Sequence, residues 1–332
     1  MNGRPNILPL VSVLINNYNY ERFLAEAIDS ALAQTYPNVE VIVVDDGSAD
    51  GSWGIIESYG KRVIPVFKPN GGQASAFNAG VAASRGEVLC FLDADDVWFP
   101  EKVERVVATL ERYPEVGWVR HRLEIVDEEL SSLGARAPVF EGSREIPPDP
   151  YLYLEKRVTT PTSALTLRRS AASTVFPIAT NGTAEKLVYD ADAFVVVLLG
   201  TRAVRGFSLD EVLGHYRQHD YQRFAGPADV TRRLRRAQET GKLISEIWSE
   251  HMGIRRVPTH VYKLALILGA LEGQPLWASE RRTILMGGMS AISRLLTRHP
   301  KLAVRQTLAL LSAFAAPEMW LRRLAKTRGL VG

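Results

Sequence analysis

The N-terminal third of the chain alternates between two hydrophobic periods. Leu10-Val11-Ser12-Val13-Leu14-Ile15 is a β-branched run that reads as a buried strand, and Leu24, Ile28, Ala31 and Leu32 then recur at helical spacing. Val39 to Val44 is a second buried strand, followed by a helix through Ile55-Ile56 and a short strand from Arg62 to Phe67. Ala74 to Ala83 predicts a helix of small residues, Val88 to Leu92 a strand, and Lys102 to Arg112 a helix with Val103, Val106, Val107 and Leu110 on one face. Near-continuous apolar strands separated by helices predict an α/β fold, a doubly wound and mostly parallel sheet covered on both faces.

From Val116 to about His219 the pattern is less regular. Tyr113-Pro114 and Pro147-Pro148-Asp149-Pro150 mark loops; Thr162 to Leu167 and Glu211 to Arg217 read as strands, and Glu185 to Leu199 as a helix. Beyond Gly226-Pro227 the pattern is helical, with Leu234, Ile244, Ile247 and Trp248 on one face, Val261, Leu264, Leu268 and Leu271 on another, and further helices around Ile284 to Leu296 and Leu302 to Leu324. This predicts an α/β domain over 1–225, with halves at about 8–115 and 116–225, and a helical region over 226–332.

In doubly wound sheets, ligands bind beyond the carboxyl ends of the strands. The first strand is followed by Asn16-Asn17-Tyr18-Asn19-Tyr20, the second by Asp45-Asp46-Gly47-Ser48, the third by Lys68-Pro69-Asn70-Gly71-Gly72-Gln73 and the fourth by Asp93-Ala94-Asp95-Asp96. Any one of these is an ordinary turn sequence. Four polar ends converging on one sheet edge predict a site.

The carboxylates after the fourth strand are hard oxygen ligands suited to Mg²⁺ or Mn²⁺, which bind through one or two carboxylates plus substrate phosphates. A solvated acidic turn capping the next helix is the competing reading. At the second acidic strand end, Asp45-Asp46-Gly47-Ser48, a carboxylate can accept from a uracil N–H or a ribose hydroxyl, and a helix cap competes there too. Gly72 and Gln73 combine close backbone approach with a helix N-terminus, which favours a phosphate or hydroxyl.

Composition narrows the field. Of 332 residues, 46% are hydrophobic and 23% charged, ordinary for a folded protein. The net charge of +3 does not imply nucleic-acid binding, and none is expected. Its distribution is uneven, with Arg232-Arg233-Leu234-Arg235-Arg236 and Arg322-Arg323-Leu324-Ala325-Lys326 in the C-terminal part. Basic residues beside the apolar stretch Leu308 to Trp320 suit an anionic membrane surface, though solvated or packed helix faces give the same pattern. The single cysteine, Cys90, lies in an apolar run and reads as core; one cysteine fits a reducing compartment, the cytoplasm or the inner face of its membrane. Met1 to Pro9 lacks the basic start and apolar core of a leader, so none is expected, and no run reaches the ~18–20 apolar residues of a spanning helix. Trp98 reads as core.

Taken together, Val11 to Asn19, Val41 to Gly51, Asn70 to Gly80, and Arg85-Gly86-Glu87 through Asp96 resemble the family 2 glycosyltransferases of GT-A fold in order, spacing and position on strand ends. A weaker likeness at Leu209-Asp210-Glu211 to Tyr216-Arg217-Gln218-His219 extends to about residue 219. The resemblance implies inverting transfer of a sugar from a nucleotide diphosphate sugar, usually a UDP sugar, to a hydroxyl of a saccharide or lipid-linked saccharide. It implies nucleotide contact at Asn16, with Tyr18 beside it, and base recognition at Asp46. Asp93 and Asp95 form the D-x-D element, with Asp95 the direct metal ligand and Asp93 nearer ribose or phosphate. Arg217 or His219 would touch phosphate or metal. The family's general base falls at Asp192, with Asp190 the runner-up. Two departures stand out: Phe77 replaces an Arg common in the helix after the glycine pair, and the Glu that usually precedes the base is absent from Tyr189-Asp190-Ala191-Asp192.

Other classes fit less well. A dinucleotide-binding dehydrogenase needs G-x-G-x-x-G after the first strand, where this chain has Asn16 to Tyr20. A catalytically silent relative or a nucleotidyltransferase shares the fold and carboxylates, and chemistry rather than pattern separates them.

Overall fold

A computed structural model describes residues 8–148, 160–178 and 191–219, together with isolated helical positions Val304, Thr307, Leu308, Leu310 and Leu311. The chain divides into two compact units, Met1–Pro150 with Val158–His219, and Tyr151–Arg157 with Asp220–Gly332. The helices expected after Gly226 and both basic runs lie outside the described residues, apart from those isolated positions.

The first unit is built on one mixed sheet of ten strands: β1 (Val11–Asn17), β2 (Val39–Asp45), β3 (Ile64–Phe67), β4 (Val88–Asp93), β5 (Val97–Trp98), β6 (Trp118–Val126), β7 (Ser132–Ala137), β8 (Arg144–Ile146), β9 (Leu165–Arg168) and β10 (Gly206–Arg217). The spatial order is β3-β2-β1-β4-β9-β6-β10-β5, with β7 added to β6 and β8 to β10. β3, β2, β1 and β4 are mutually parallel, as their unbroken apolar runs predict. β9 then runs antiparallel to both β4 and β6, while β6 and β10 are parallel. The strand expected at Thr162 to Leu167 opens as a 3-10 turn at Thr162–Ala164 and becomes a strand only at Leu165.

Six α-helices flank the sheet among the described residues: α1 (Glu21–Leu32), α2 (Ser52–Ser58), α3 (Gln73–Ala83), α4 (Lys102–Arg112), α5 (Arg169–Ala172) and α6 (Ala191–Thr201). α1 buries Phe23, Leu24, Ala27, Ile28 and Ala31, and α4 buries Val103, Val106, Val107 and Leu110; both pack into the cluster holding Val11, Val13, Ile15, Cys90 and Leu92. α3 lies close to the sheet because its residues are small. A Cβ on Gly80 would stand 3.3 Å from Val44 Cγ2 and 3.6 Å from Leu14 Cβ. Phe77, on the same helix, is buried against Phe91, with ring centroids 5.0 Å apart, and Phe91 stacks on Phe176. The family's arginine position is therefore part of the hydrophobic core here. The helix expected from Glu185 is seen from Ala191; 185–190, Asp190 included, lies outside the described residues.

Candidate active site

Strand register brings the polar ends together. β1 pairs with β4 so that Asn16 faces Asp93, and Asn16 Nδ2 donates to Asp93 Oδ1 at 2.6 Å. β1 pairs with β2 so that Asn17 faces Asp45, and Asn17 Nδ2 donates to Asp45 Oδ2 at 2.8 Å. Asn16 Oδ1 and Asn17 Oδ1 are buried and accept from no group among the described residues. Tyr18 follows on the same rim, partly buried.

Asp46 shapes the glycine loop. It forms an ion pair with Lys68 and accepts from the backbone N–H groups of Gly71, at 3.0 Å, and Gly72, at 2.7 Å. Gly72 sits at φ +80, in the region that favours glycine, and turns the chain into α3. Gln73, the first residue of α3, bridges two later elements: its Nε2 donates to Thr162 Oγ1 at 3.2 Å and its Oε1 accepts from Ala191 N–H at 3.1 Å. The glycine loop is thereby tied to the start of α6, whose first turn carries Asp192. Asp192 Oδ1 accepts from Ala193 N–H at 2.6 Å.

At the end of β4, Asp93, Asp95 and Asp96 converge, with one oxygen of each within 4.8 Å of the others. Burial, then the charge of Asp95, pushes the Asp93 carboxyl up to about 7 against the hydrogen bonds of Asn16, Thr162 and Gln73. Burial drives Asp96 well above the usual carboxylate range, with Asp95 and Asp93 adding to it. Three carboxylates brought this close form an all-oxygen donor set that fits a hard divalent cation. His219 Nε2 contacts Asp95 Oδ2 at 3.2 Å, and its ring packs against Phe23 at 4.7 Å.

Arg217 reaches the cluster through its backbone, whose N–H donates to Asp96 Oδ1 at 2.9 Å. Its guanidinium is committed to protein partners: it donates to Glu26 Oε2 at 2.6 Å and to the Glu128 carbonyl at 3.1 Å, and lies 4.4 Å over the Phe23 ring. The side chain thus braces α1 against β10.

Three contributors went unread in the sequence. Ser163 Oγ donates to Asp96 Oδ2 at 2.5 Å and accepts from the Asp93 N–H at 3.0 Å, stitching the acidic turn to the segment before β9. Thr162 joins Gln73 and Asp93. Tyr216 lies within electrostatic reach of Asp96, Asp95, Asp93 and Asp192, and burial with those charges raises its phenol well above the ordinary value. Two hydroxyls ahead of a weak strand give no sequence signal of such contacts; Tyr216 is legible only through its neighbours in the Tyr216 to His219 segment.

A parallel α/β half that presents clustered aspartates beyond β4 has the architecture of a GT-A fold. Residues 12–174 match the model of Glycosyl transferase family 2. An uncharacterised glycosyltransferase of Nostoc sp. is 41% identical over 175 residues, 51% of this chain and 53% of its own length. The chain spans about half the length of the curated relatives it matches. Among solved structures, Staphylococcus aureus TarS 1-349 in complex with UDP shares the fold with TM-score 0.56 and 18% identity, over 95% of this chain and 91% of that one. The mannosyltransferase PcManGT of Pyrobaculum calidifontis, in complex with GDP-Man and Mn²⁺, does so with TM-score 0.52 and 18% identity, over 95% and 84%.

Proposed function

We propose that this chain is a metal-dependent, inverting glycosyltransferase that moves a sugar from a nucleotide diphosphate sugar, a UDP sugar first among them, to a hydroxyl acceptor in cell-surface polysaccharide or glycolipid synthesis. The convergence of Asp93, Asp95 and Asp96 at the end of β4 carries the reading. The UDP and the GDP-Man with Mn²⁺ in the two fold neighbours support it.

In this reading Asp95 is the direct ligand of a Mn²⁺ or Mg²⁺ ion, with Asp93 beside it and toward the ribose or phosphate. The ion supplies neutralisation of the diphosphate that leaves. Asn16 and Tyr18 line the nucleotide side, where the unsatisfied Asn16 Oδ1 is a ready acceptor. Asp46 holds the Gly71-Gly72 backbone at the base end of the donor, and Gln73 positions the acceptor side through Ala191. His219 orients Asp95, and Arg217 holds Asp96 through its N–H. Asp192 takes the acceptor hydroxyl's proton as that oxygen bonds to the anomeric carbon and the bond from carbon to diphosphate breaks; Asp190 is the alternative base.

A lipid-linked acceptor would bring the chain to a membrane surface. Val304, Leu308 and Leu311 are exposed apolar positions at helical spacing in the second unit, and Lys301 and Arg305 neighbour them in sequence. No helix among the described residues is long and apolar enough to cross a membrane.

The test is a thermal-shift panel of nucleotide sugars with Mn²⁺, followed by analysis of the product made from the best binder. Release of nucleotide diphosphate with inversion at the anomeric carbon supports the reading. Pyrophosphate release from a nucleoside triphosphate would replace it with nucleotidyl transfer, and binding without turnover on any acceptor would replace it with a silent binding subunit.

A further inference from the structure

Lys102, the first residue of α4, is fully buried. Its ammonium has three neighbours: Thr166 Oγ1 at 3.2 Å, the Cys90 thiol and the face of Trp98, whose centroid is 3.6 Å from Nζ. None of the described carboxylates forms an ion pair with it. Burying an ammonium without a carboxylate is costly, and a methionine of similar length would fill the space more cheaply. Nearby His121, also fully buried, is pushed down to about 3 by burial and then by the Lys102 charge, so it stays neutral beside the lysine. The same burial lowers the Lys102 ammonium from its usual value, with Cys90 opposing it.

The contacts of that cation lead to the acidic cluster. Trp98, under the ammonium, donates its indole N–H to the Ser163 carbonyl at 2.8 Å. Ser163 Oγ in turn accepts from the Asp93 N–H and donates to Asp96. On the other side, Thr166 faces Cys90 in the β4–β9 register, so Lys102 also grips the antiparallel pair from which the acidic turn emerges. Two short paths thus run from one buried charge to the backbone and side chains of the metal-binding turn.

We propose that Lys102 is a positioning residue for the metal cluster, acting through Trp98 and Ser163 to hold Asp93 and Asp96 in the convergent arrangement. The inference rests on the metal-dependent reading above. Partners of this kind, one layer behind the ligands, set metal affinity more than they set fold stability.

The experiment measures the Mn²⁺ concentration that gives half-maximal UDP binding, in the full chain and in two variants, together with the melting temperature of each without metal. Lys102→Met removes the charge and keeps the volume. Its melting temperature should hold or rise, while the half-saturating Mn²⁺ concentration rises by about tenfold or more. Trp98→Phe keeps a ring beneath the ammonium but deletes the N–H to Ser163, and it should raise the Mn²⁺ requirement in the same direction. Should Lys102→Met fail to fold, Trp98→Phe decides alone. A wild-type Mn²⁺ requirement in a folded variant, with Mn²⁺-dependent UDP binding intact in the parent chain, overturns this inference and leaves the proposed function standing. Absence of Mn²⁺-dependent binding in the parent chain overturns both.

Discussion

Asp93 shows what burial beside a second carboxylate does to a carboxyl. Its folded value of about 7 lies above its ordinary 3.8, so folding favours the protonated form. That contribution to stability is full below about pH 4 and is lost as the pH rises through about 7, and Asp96 is shifted in the same direction. The metal-free protein should therefore melt at progressively lower temperature as the pH rises across this window. Mn²⁺ displaces the protons, so its stabilising effect should grow with pH. Melting curves at several pH values with and without Mn²⁺ check this; a metal effect independent of pH would contradict the assignment. At the same scale, Asp192→Asn should bind UDP with Mn²⁺ yet lose ~10²–10⁴-fold in transfer rate, while Asp190→Asn is much milder. Steady-state rates of the two variants decide between them. Asp93 and Asp95 are legible in the sequence because carboxylates directly after an apolar run have no core role. Ser163 and Lys102 are not legible, since a serine before a strand and a lysine opening an amphipathic helix read as ordinary surface residues until tertiary contacts bury them.

At the scale of elements, legibility tracks burial pattern. β1, β2 and β4 are covered on both faces, and their apolar runs announce them. β6 escaped because Arg120, His121 and Arg122 interrupt it. Arg120 is buried through a hydrogen bond to Ser208 and contact with the Phe140 ring, and His121 Nδ1 donates to the Arg122 carbonyl, so polar and charged residues occupy a central strand. Periodicity cannot foresee such pairings. β9 was half seen: its position is readable, but its antiparallel direction depends on which strands flank it. α3 supplies a test of the core reading of Phe77. Phe77→Ala should destabilise the first unit by roughly 3–5 kcal/mol, as for other buried aromatics cut to alanine. Phe77→Arg, which restores the residue common in the family, should be no less damaging because it buries an unpaired cation. Chemical denaturation of both variants measures this; an arginine variant of normal stability and improved UDP binding would show that the helix face can turn to the donor.

At the scale of the molecule, the matched segment, residues 12–174, covers the proposed donor side, and the helix and strand that follow it, α6 and β10, carry Asp192 and Arg217. The second unit carries the basic and apolar segments that point to a surface. Flotation with anionic vesicles should recover the chain with lipid, and recovery should fall as salt screens the basic residues. Equal recovery in the soluble fraction with and without lipid would refute the membrane contact and leave the catalytic reading untouched.

The central claim is that the aspartates beyond β4 bind a nucleotide diphosphate through a divalent ion. Calorimetric titration of UDP into the chain, with Mn²⁺ and with chelator, and again into Asp95→Ala, tests it most directly. The account predicts binding in Mn²⁺, none in chelator, and none in a folded Asp95→Ala under either condition. Binding that persists in chelator, or survives undiminished in Asp95→Ala, would contradict it.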